Sequence, residues 1–176
     1  MNVFIVAAMT ADGFIGKGSD HLATEWTNKD DQKVFTRLVK PANNMVMGRN
    51  TFFTIARKYK SVFTKSMPGR RLFVYTPNPT ELADYPEIEA VNEPPAALVK
   101  RLDSEGLEQL AICGGTQIYT MFMAAGVVDD LYIDVQATVF GAGQGLFNTA
   151  LQAEITLESS ERLGDNNILL HYRVQK

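Results

Sequence analysis

The sequence predicts an α/β domain, because short apolar runs alternate with amphipathic stretches along most of its 176 residues. Two of these apolar runs end in glycine where a helical pattern begins, as strands do before a crossover helix. The carboxyl terminus differs, because Gly164-Asp165-Asn166-Asn167 separates two strand-like runs and is typical of a hairpin turn. A chain of this length can bury one core and is short for two domains, so we expect a single domain over residues 1–176.

Apolar spacing and turn residues predict each element in turn. The run at residues 3–9 is apolar throughout, as in a strand covered on both faces, whereas Val34, Phe35 and Leu38 mark one face of a helix. Pro94-Pro95 is typical of a helix start, because the fixed φ of proline suits the first turn. In chain order the predicted elements are strand 3–9, helix 29–39, strand 44–47, helix 51–59, a turn at Pro68-Gly69, strand 71–75, strand 88–91, helix 94–103, strand 110–113, helix 117–124, strand 130–139, strand 153–161 and strand 168–174.

Composition excludes several functional classes. Cys113 is the only cysteine, so no intrachain disulfide is possible, and two histidines besides leave too few soft ligands for a structural zinc site. The net charge of −3 argues against a general nucleic-acid binder. The apolar run at residues 3–9 lacks the basic region of a signal peptide and is too short to span a membrane. We therefore expect a cytoplasmic monomer or homodimer that binds a small molecule, with no metal, nucleic-acid or membrane partner.

Asp31 is the main catalytic candidate. It follows Trp26 by five positions and precedes Phe35 by one helical turn, so a carboxylate is expected on an apolar, aromatic helix face. Burial there disfavours the charged form, which suits proton donation near neutral pH. Asp30 and Asp31 also fit the first turn of a helix opened by Thr27 or Asn28, where acids stabilise the helix dipole without any chemistry. The helix by itself favours that structural role.

Two strand-to-helix junctions have the composition of a phosphate site. At Gly114-Gly115-Thr116 the missing side chains would let a ligand approach backbone amides at the positive end of a helix. Gly48-Arg49-Asn50-Thr51 repeats this arrangement and adds an arginine and a hydroxyl. One such turn is more often a packing device, but two in one small chain favour a dinucleotide. The spacing differs from the glycine fingerprint of doubly wound dinucleotide folds.

In order along the chain, these segments resemble the dihydrofolate reductase superfamily. That resemblance implies a three-layer α/β fold, with a central, mainly parallel eight-stranded sheet and a carboxy-terminal antiparallel hairpin. It also implies NADPH-dependent reduction of 7,8-dihydrofolate to tetrahydrofolate, an oxidoreductase reaction of one-carbon metabolism. The matching motifs are Val6-Ala7-Ala8, Ile15-Gly16 at the family's mobile loop, Trp26 with Asp31 and Phe35, Met47-Gly48-Arg49-Asn50-Thr51, Met67-Pro68-Gly69-Arg70, Gly114-Gly115-Thr116-Gln117-Ile118-Tyr119 and Leu131-Tyr132-Ile133.

The resemblance implies roles for the residues on the substrate side. Asp31 would hydrogen-bond the pterin ring and promote protonation of its nitrogen, while Trp26 would hold an ordered water nearby. Arg70 would bind the glutamate carboxylate of folate, for which a planar guanidinium is well suited. The positions implied to contact substrate are Ala7, Phe35, Arg70 and Asp134.

On the cofactor side, the resemblance implies that Ala8 and Ile15 lie against the nicotinamide. Arg49, Asn50 and Thr51 would hold cofactor phosphates, and Thr76 falls in the region of the adenosine 2′-phosphate. The positions implied to bind NADPH are Ala8, Ile15, Gly16, Gly48, Arg49, Asn50, Thr51, Thr76, Gly114, Gly115, Thr116, Gln117, Ile118 and Tyr119.

Asp134 departs from the family pattern, which usually has a threonine beside the catalytic acid. Two carboxylates so close would raise one pKa by like-charge repulsion, and they would titrate as a pair. Either the site holds a shared proton between Asp31 and Asp134, or Asp134 points elsewhere.

A second resemblance covers the carboxy-terminal half. Residues 126–131 and 139–147 are similar to the reductase domain of the riboflavin pathway, which shares the fold and NADPH and acts on a ribosylated aminopyrimidine. Trp26 with Asp31, and the Pro-Gly-Arg at Arg70, fit folate better. Dihydrofolate therefore ranks first, and a pyrimidine or another pterin second. A non-catalytic nucleotide-binding protein also stays open, because a fold does not fix a function.

Overall fold

A computed structural model describes residues 1–59 and 70–176. Strands and helices alternate along most of this part of the chain, as the apolar pattern predicts. The strands are β1 (Asn2–Thr10), β2 (Phe14–Gly16), β3 (Asn44–Gly48), β4 (Arg71–Tyr75), β5 (Ile88–Val91), β6 (Gln109–Ile112), β7 (Asp130–Gln136), β8 (Gln144–Gly145), β9 (Ile155–Arg162) and β10 (Asn167–Val174). The α-helices are α1 (Lys29–Ala42), α2 (Arg49–Lys58), α3 (Pro95–Ser104) and α4 (Thr116–Ala124), and short 3-10 turns cover Ala23–Glu25 and Pro79–Leu82.

Eight strands form one sheet in the order β5-β4-β3-β6-β1-β7-β10-β9. All neighbouring pairs from β5 to β7 are parallel. β10 is antiparallel to β7, and β9 is antiparallel to β10. The predicted mainly parallel sheet with a carboxy-terminal antiparallel hairpin is confirmed.

Helices cover both faces of the sheet, because successive side chains of a strand point to opposite sides. Val3 and Ile5 of β1 pack with the buried side chains of α3 and α4. Phe4 and Val6 of the same strand pack with those of α1 and α2. The result is the predicted three-layer arrangement, in which central strands carry apolar residues on both faces.

The structure corrects several local predictions. β7 ends at Gln136, three residues before the predicted end, and the Val139 side chain is 70 % exposed. Ile15 and Gly16, which were expected in a mobile loop, lie in β2, where they pair with β8 in an antiparallel two-stranded sheet. The apolar pattern of the sequence does not indicate this pairing. It requires the backbones of the two segments to approach closely, since a Cβ at Gly143 would lie 2.4 Å from the Gly16 carbonyl oxygen.

The remaining differences concern element ends. α1 continues three residues past its predicted end and stops at Asn43, which has a positive φ of 56°. The predicted turn at Pro68-Gly69 lies outside the described residues. No helix in the described ranges is long and apolar enough to cross a membrane.

Candidate active site

The carboxyl ends of five neighbouring parallel strands, β4, β3, β6, β1 and β7, meet along one edge of the sheet. Ligands of open α/β sheets bind at this edge, where loops and helix starts replace paired backbone. A cleft of about 790 Å³ lies there. Its lining includes the end of β4 at Tyr75, the start of α2 at Arg49, the start of α4 at Thr116, and Gln144 and Gly145 of β8.

The two glycine turns predicted from the sequence lie side by side in this cleft. The Gly48 amide donates to the Gly114 carbonyl at 2.8 Å, which joins the start of α2 to the end of β6. A Cβ at Gly115 would lie 3.1 Å from Thr51 Oγ1, and one at Gly48 would lie 3.0 Å from Ile118 Cγ1. Side chains at these glycines would therefore crowd their neighbours. The first amides of α2 and α4 have no intrahelical partners, so the two helix starts can bind phosphate oxygens.

Several residues predicted to bind the cofactor also connect elements of the fold here. Thr116 Oγ1 donates to the Gly145 carbonyl at 2.8 Å and ties α4 to β8. Tyr119 Oη donates to the Val6 carbonyl at 2.9 Å and ties the same helix to β1. Ile118 is buried beneath Gly48, whereas Gln117 is exposed on the cleft. Thr116 and Ile118 also line the cleft, and Gln117 is the most exposed of these residues.

A smaller cavity of about 100 Å³ adjoins the cleft and shares Thr51 and Gly115 with it. Ala7, Ala8 and Ile15 line it on one side, and Cys113 and Gly114 from the end of β6 line it on another. Small apolar residues therefore form part of its wall, and His21 and Gln144 add polar groups.

Asp134 lies directly beside this cavity, because it is the cross-strand partner of Ala8 in the pairing of β7 with β1. Its side chain is among the most buried polar groups, with 1 % exposed. Asn167 Nδ2 donates to its two oxygens at 3.0 and 3.1 Å, and Gln136 Nε2 donates to it at 2.7 Å. Both amides fix the carboxyl group in position.

The carboxyl groups of Asp31 and Asp134 interact, because each shifts the pKa of the other. The pKa of Asp134 is raised to about 6, mainly by burial; the Asn167 amide opposes the shift, and the charge of Asp31 adds to it. Burial also raises the pKa of Asp31, whereas hydrogen bonds from Thr27 and Asp134 lower it. Two carboxyl groups that interact in this way can share one proton at mildly acidic pH. Of the two alternatives drawn from the sequence, this interaction favours the shared proton, which stays a prediction.

At the start of α1, the side chains of Asp30 and Asp31 have different partners. The Asn28 side chain caps the helix by accepting from the Asp30 and Asp31 amides at 2.9 and 3.3 Å. Asp30 then pairs with Lys33 at 2.8 Å, while Thr27 Oγ1 donates to Asp31 Oδ2 at 3.0 Å. Only Asp31 thus joins the buried pair. The helix-start role inferred from the sequence applies to both acids, and for Asp31 it is combined with a place in the site.

Aromatic residues flank this pair. Phe35, one turn after Asp31, has 38 % of its side chain exposed and can contact a ligand. The Trp26 ring packs edge-on against Phe140 at 5.1 Å between centroids, and its Nε1 is buried without an acceptor among the described residues. The Asp12 carboxylate accepts from the amides of Phe140 and Gly141 and holds this carboxy-terminal loop against Trp26.

Arg70 stands directly before β4, at the opposite end of that strand from the cleft residue Thr76. Its charge still acts on Cys113, which lines the smaller cavity. Burial raises the pKa of the Cys113 thiol to about 12, and the positive charge of Arg70 partly offsets that effect. Arg70 is therefore within electrostatic range of the cavity, although the segment that precedes it lies outside the described residues.

The far end of the cleft contains polar groups at the end of β4. Burial raises the pKa of Tyr75, and its hydroxyl has no hydrogen-bond partner in the described part of the chain. Thr76 is 2 % exposed, and its hydroxyl donates to Glu81 Oε2 at 3.3 Å. Arg49 donates to both oxygens of Glu81, at 2.8 and 2.9 Å.

Sequence reasoning missed four of the residues that shape this site. Asn167 was assigned only to the hairpin turn, and Gln136 only to a strand. Glu81 and Tyr75 carried no motif at all. The alternation of strand residues could have indicated that Gln136 and Asp134 share a face, but nothing local in the sequence indicates Asn167 or Glu81.

Comparison with known proteins agrees with this geometry. A model of the dihydrofolate reductase family matches residues 2–172. An uncharacterized protein of Bacillus subtilis, YwjB, is 25% identical over 170 residues, which cover 94% of this chain and 93% of that protein. The dihydrofolate reductase HdrB of Haloferax volcanii is 30% identical over 127 residues, 70% of this chain and 61% of that protein.

Two solved structures share the fold over nearly the whole chain. A Shewanella sp. PV-4 protein named for riboflavin biosynthesis superposes with a TM-score of 0.80 at 20% identity, covering 100% of both chains. A pyrimidine reductase-like protein of Corynebacterium diphtheriae superposes with a TM-score of 0.76 at 16% identity, covering 99% of this chain and 92% of that one. At these identities the likeness shows the fold. Because the family model spans almost every residue described above, the chain belongs to the dihydrofolate reductase family.

Proposed function

We propose that the protein is a reductase that uses a reduced nicotinamide dinucleotide to reduce a C=N bond of a heterocyclic substrate. One observation carries the proposal. Asp134, half of the proton-sharing pair, is the cross-strand partner of Ala8, and Ala8 lines the small cavity that adjoins the glycine turns. The proposed proton source, the small cavity and the phosphate cradle therefore lie at neighbouring positions along one edge of the sheet.

The residues present fit such a dinucleotide. Gly48 and Gly115 give close access to the helix starts, which would hold its pyrophosphate. Ala8 and Ile15 would contact its nicotinamide ring, and Tyr75 at the end of β4 lines the part of the cleft proposed for its adenosine end. When bound, the dinucleotide supplies the hydride, and the protein supplies orientation and a proton. NADPH is the form that the sequence predicts.

The acid pair would deliver the proton to the nitrogen of the C=N bond. Asp31 is the donor to substrate, because it lies beside the exposed ring of Phe35, whereas Asp134 is enclosed by Asn167 and Gln136. Asp134 would act as a positioning residue that returns a proton to Asp31. Since burial and like charge both hold the shared proton at mildly acidic pH, protonation can keep pace with hydride transfer.

A ribosylated aminopyrimidine, as in the riboflavin pathway, is the substrate that we favour. The two solved structures that match over nearly the whole chain carry riboflavin and pyrimidine reductase names. The carboxy-terminal segment that resembles riboflavin-pathway reductases also lines the cleft, through Gly143, Gln144, Gly145 and Phe147. Its Phe140 packs on Trp26.

Dihydrofolate is the second candidate. It is supported by the family model, by the relative HdrB and by Phe35, whose exposed ring lies one helical turn from Asp31, as a pterin-binding site requires.

Turnover assays with the two substrates distinguish these candidates. Oxidation of NADPH and of NADH is followed with each substrate, because hydride transfer consumes the reduced nicotinamide. We expect a higher kcat/KM with the ribosylated aminopyrimidine than with dihydrofolate. A reversed order would favour dihydrofolate. Dinucleotide binding without turnover of either would support a non-catalytic nucleotide-binding protein and contradict the proposal.

Substitution of Asp31 tests the proton donor. Asp31→Asn removes the proton while keeping the shape, so turnover should fall by about 10²- to 10⁴-fold. The dissociation constant of the dinucleotide, measured by calorimetry, should stay unchanged because Asp31 does not line the phosphate cradle. Asp30→Asn is the matched control, since it changes the neighbouring acid that pairs with Lys33. Equal losses in the two variants would contradict a catalytic role for Asp31.

The pH dependence tests the role of Asp134. As the pH rises through about 6, the pair loses its shared proton, so turnover should fall by about tenfold per pH unit. Asp134→Asn removes the like charge and donates to Asp31, which lowers the pKa of Asp31. The falling limb of the rate profile should therefore move to lower pH. An unchanged profile in this variant would contradict a shared proton.

The free energy of unfolding of Asp134→Asn tests the titration of Asp134 independently of catalysis. The pKa of Asp134 in the folded state is raised from 3.8 to about 6, so its contribution to stability is present below the lower value and lost as the pH rises through the higher one. Because asparagine does not titrate, the stability of Asp134→Asn does not fall in this way. Its free energy of unfolding should therefore rise relative to wild type by up to about 3 kcal/mol between about pH 4 and pH 7.

A further inference from the structure

Arg49 is the cation that the sequence assigns to the cofactor phosphates, and Glu81 already binds it. Arg49 Nε and Nη2 donate to the two Glu81 oxygens at 2.8 and 2.9 Å, which is the bidentate geometry of a strong guanidinium–carboxylate pair. Arg49 Nη1 also lies 3.4 Å from Asn50 Oδ1. One full edge of the guanidinium is therefore committed to an acid.

Thr76, which the family resemblance places in the region of the adenosine 2′-phosphate, binds the same carboxylate. Its hydroxyl lies 3.3 Å from Glu81 Oε2 and 3.3 Å from the Asn78 carbonyl, both of which are acceptors. The Asn78 amide in turn donates to this hydroxyl at 3.1 Å. Both residues expected to hold a phosphate thus converge on a negative group.

The charges around this end of the cleft do not favour a phosphate. A hollow beside the cleft shares Arg49 with it, and its other charged lining residues are Asp20, Arg57 and Glu81. These two acids and two bases cancel formally. A phosphate monoester near neutral pH carries close to two negative charges, so it would be repelled by the carboxylate that holds Arg49.

A ribose hydroxyl, unlike a phosphate, interacts favourably with a carboxylate. It can donate a hydrogen bond to a carboxylate, and an acidic side chain binds the ribose 2′-hydroxyl in NAD sites of other folds, whereas an arginine accommodates the 2′-phosphate of NADP. Here the arginine is present but is neutralised by the acid.

We infer that Glu81 is a specificity-determining residue that makes the adenosine end of the cleft favour a 2′-hydroxyl over a 2′-phosphate. NADH is then the preferred hydride donor of this chain, in place of the NADPH that the family resemblance implies. The inference rests on the proposed dinucleotide function and sharpens it. It assigns the preference to one side chain, at 28 % exposure on the 3-10 turn after β4, where it can be replaced without disturbing the core.

Two small nucleotides test this preference without any turnover. ADP has a 2′-hydroxyl, whereas adenosine 2′,5′-bisphosphate carries the 2′-phosphate. Calorimetry gives the dissociation constant of each for the wild type, Glu81→Gln and Glu87→Gln. Glu87 is the matched control, because it is an exposed glutamate on the same connection between β4 and β5.

The wild type should bind ADP at least as tightly as the 2′,5′-bisphosphate. Glu81→Gln should shift the ratio of dissociation constants by about tenfold or more toward the 2′,5′-bisphosphate, because it frees Arg49 from a charged partner. Glu87→Gln should leave the ratio unchanged. The dissociation constants of NADH and NADPH, measured by quenching of tryptophan fluorescence, should follow the same order.

The opposite results overturn the inference. Tenfold tighter binding of the 2′,5′-bisphosphate by the wild type would show that the phosphate displaces Glu81 from Arg49. An unchanged ratio in Glu81→Gln would show that Glu81 does not set the preference. If the wild type binds neither nucleotide and neither dinucleotide, the proposed function fails and the inference with it, which is distinguishable from both results above.

Discussion

The interaction between the carboxyl groups of Asp31 and Asp134 is the one on which the proposed chemistry depends. Two carboxyl groups can be buried together only if they share a proton and their other oxygens are satisfied, because a second negative charge would be strongly disfavoured. Three elements bring the groups together: α1 carries Asp31, β7 carries Asp134, and β10 carries Asn167, which donates to Asp134. Asn28 links the cap of α1 to Asn167 at 3.3 Å, so the helix start and the hairpin are held together.

The parallel sheet places the other parts of the proposed site beside this pair of acids. Because β1 lies between β6 and β7, the acid at Asp134, the small residue Ala8 and the glycine turn after β6 occupy successive positions along one edge. The same edge extends through β3 to β4, where the bond between Arg49 and Glu81 shapes the far end of the cleft. The groups proposed to supply the proton, contact the ring, bind the phosphates and select the nucleotide are thus arranged in order along neighbouring strands.

The sequence predicted what depends on local pattern and missed what depends on distant contacts. The alternation of strands and helices follows from apolar periodicity, and the glycine turns are recognisable because a helix pattern begins directly after them. Asn167 meets Asp134 across 33 residues, and Arg49 meets Glu81 across 32, so no local pattern marks either contact. The pairing of β2 with β8 was missed for the same reason. Asp134 was recognised only as a departure from a family pattern, and its partnership with Asp31 became definite through the packing of α1 against the sheet.

The most direct test of the shared proton is an infrared titration of the carboxyl groups. Difference spectra of the wild type, Asp31→Asn and Asp134→Asn resolve the carbonyl stretch of a protonated carboxylic acid. We predict that the wild type has such a band, that it disappears as the pH rises with a midpoint at about 6, and that the band is altered in each variant. A wild-type protein whose carboxyl bands all disappear at the pKa of isolated aspartates, about 4, would contradict the account.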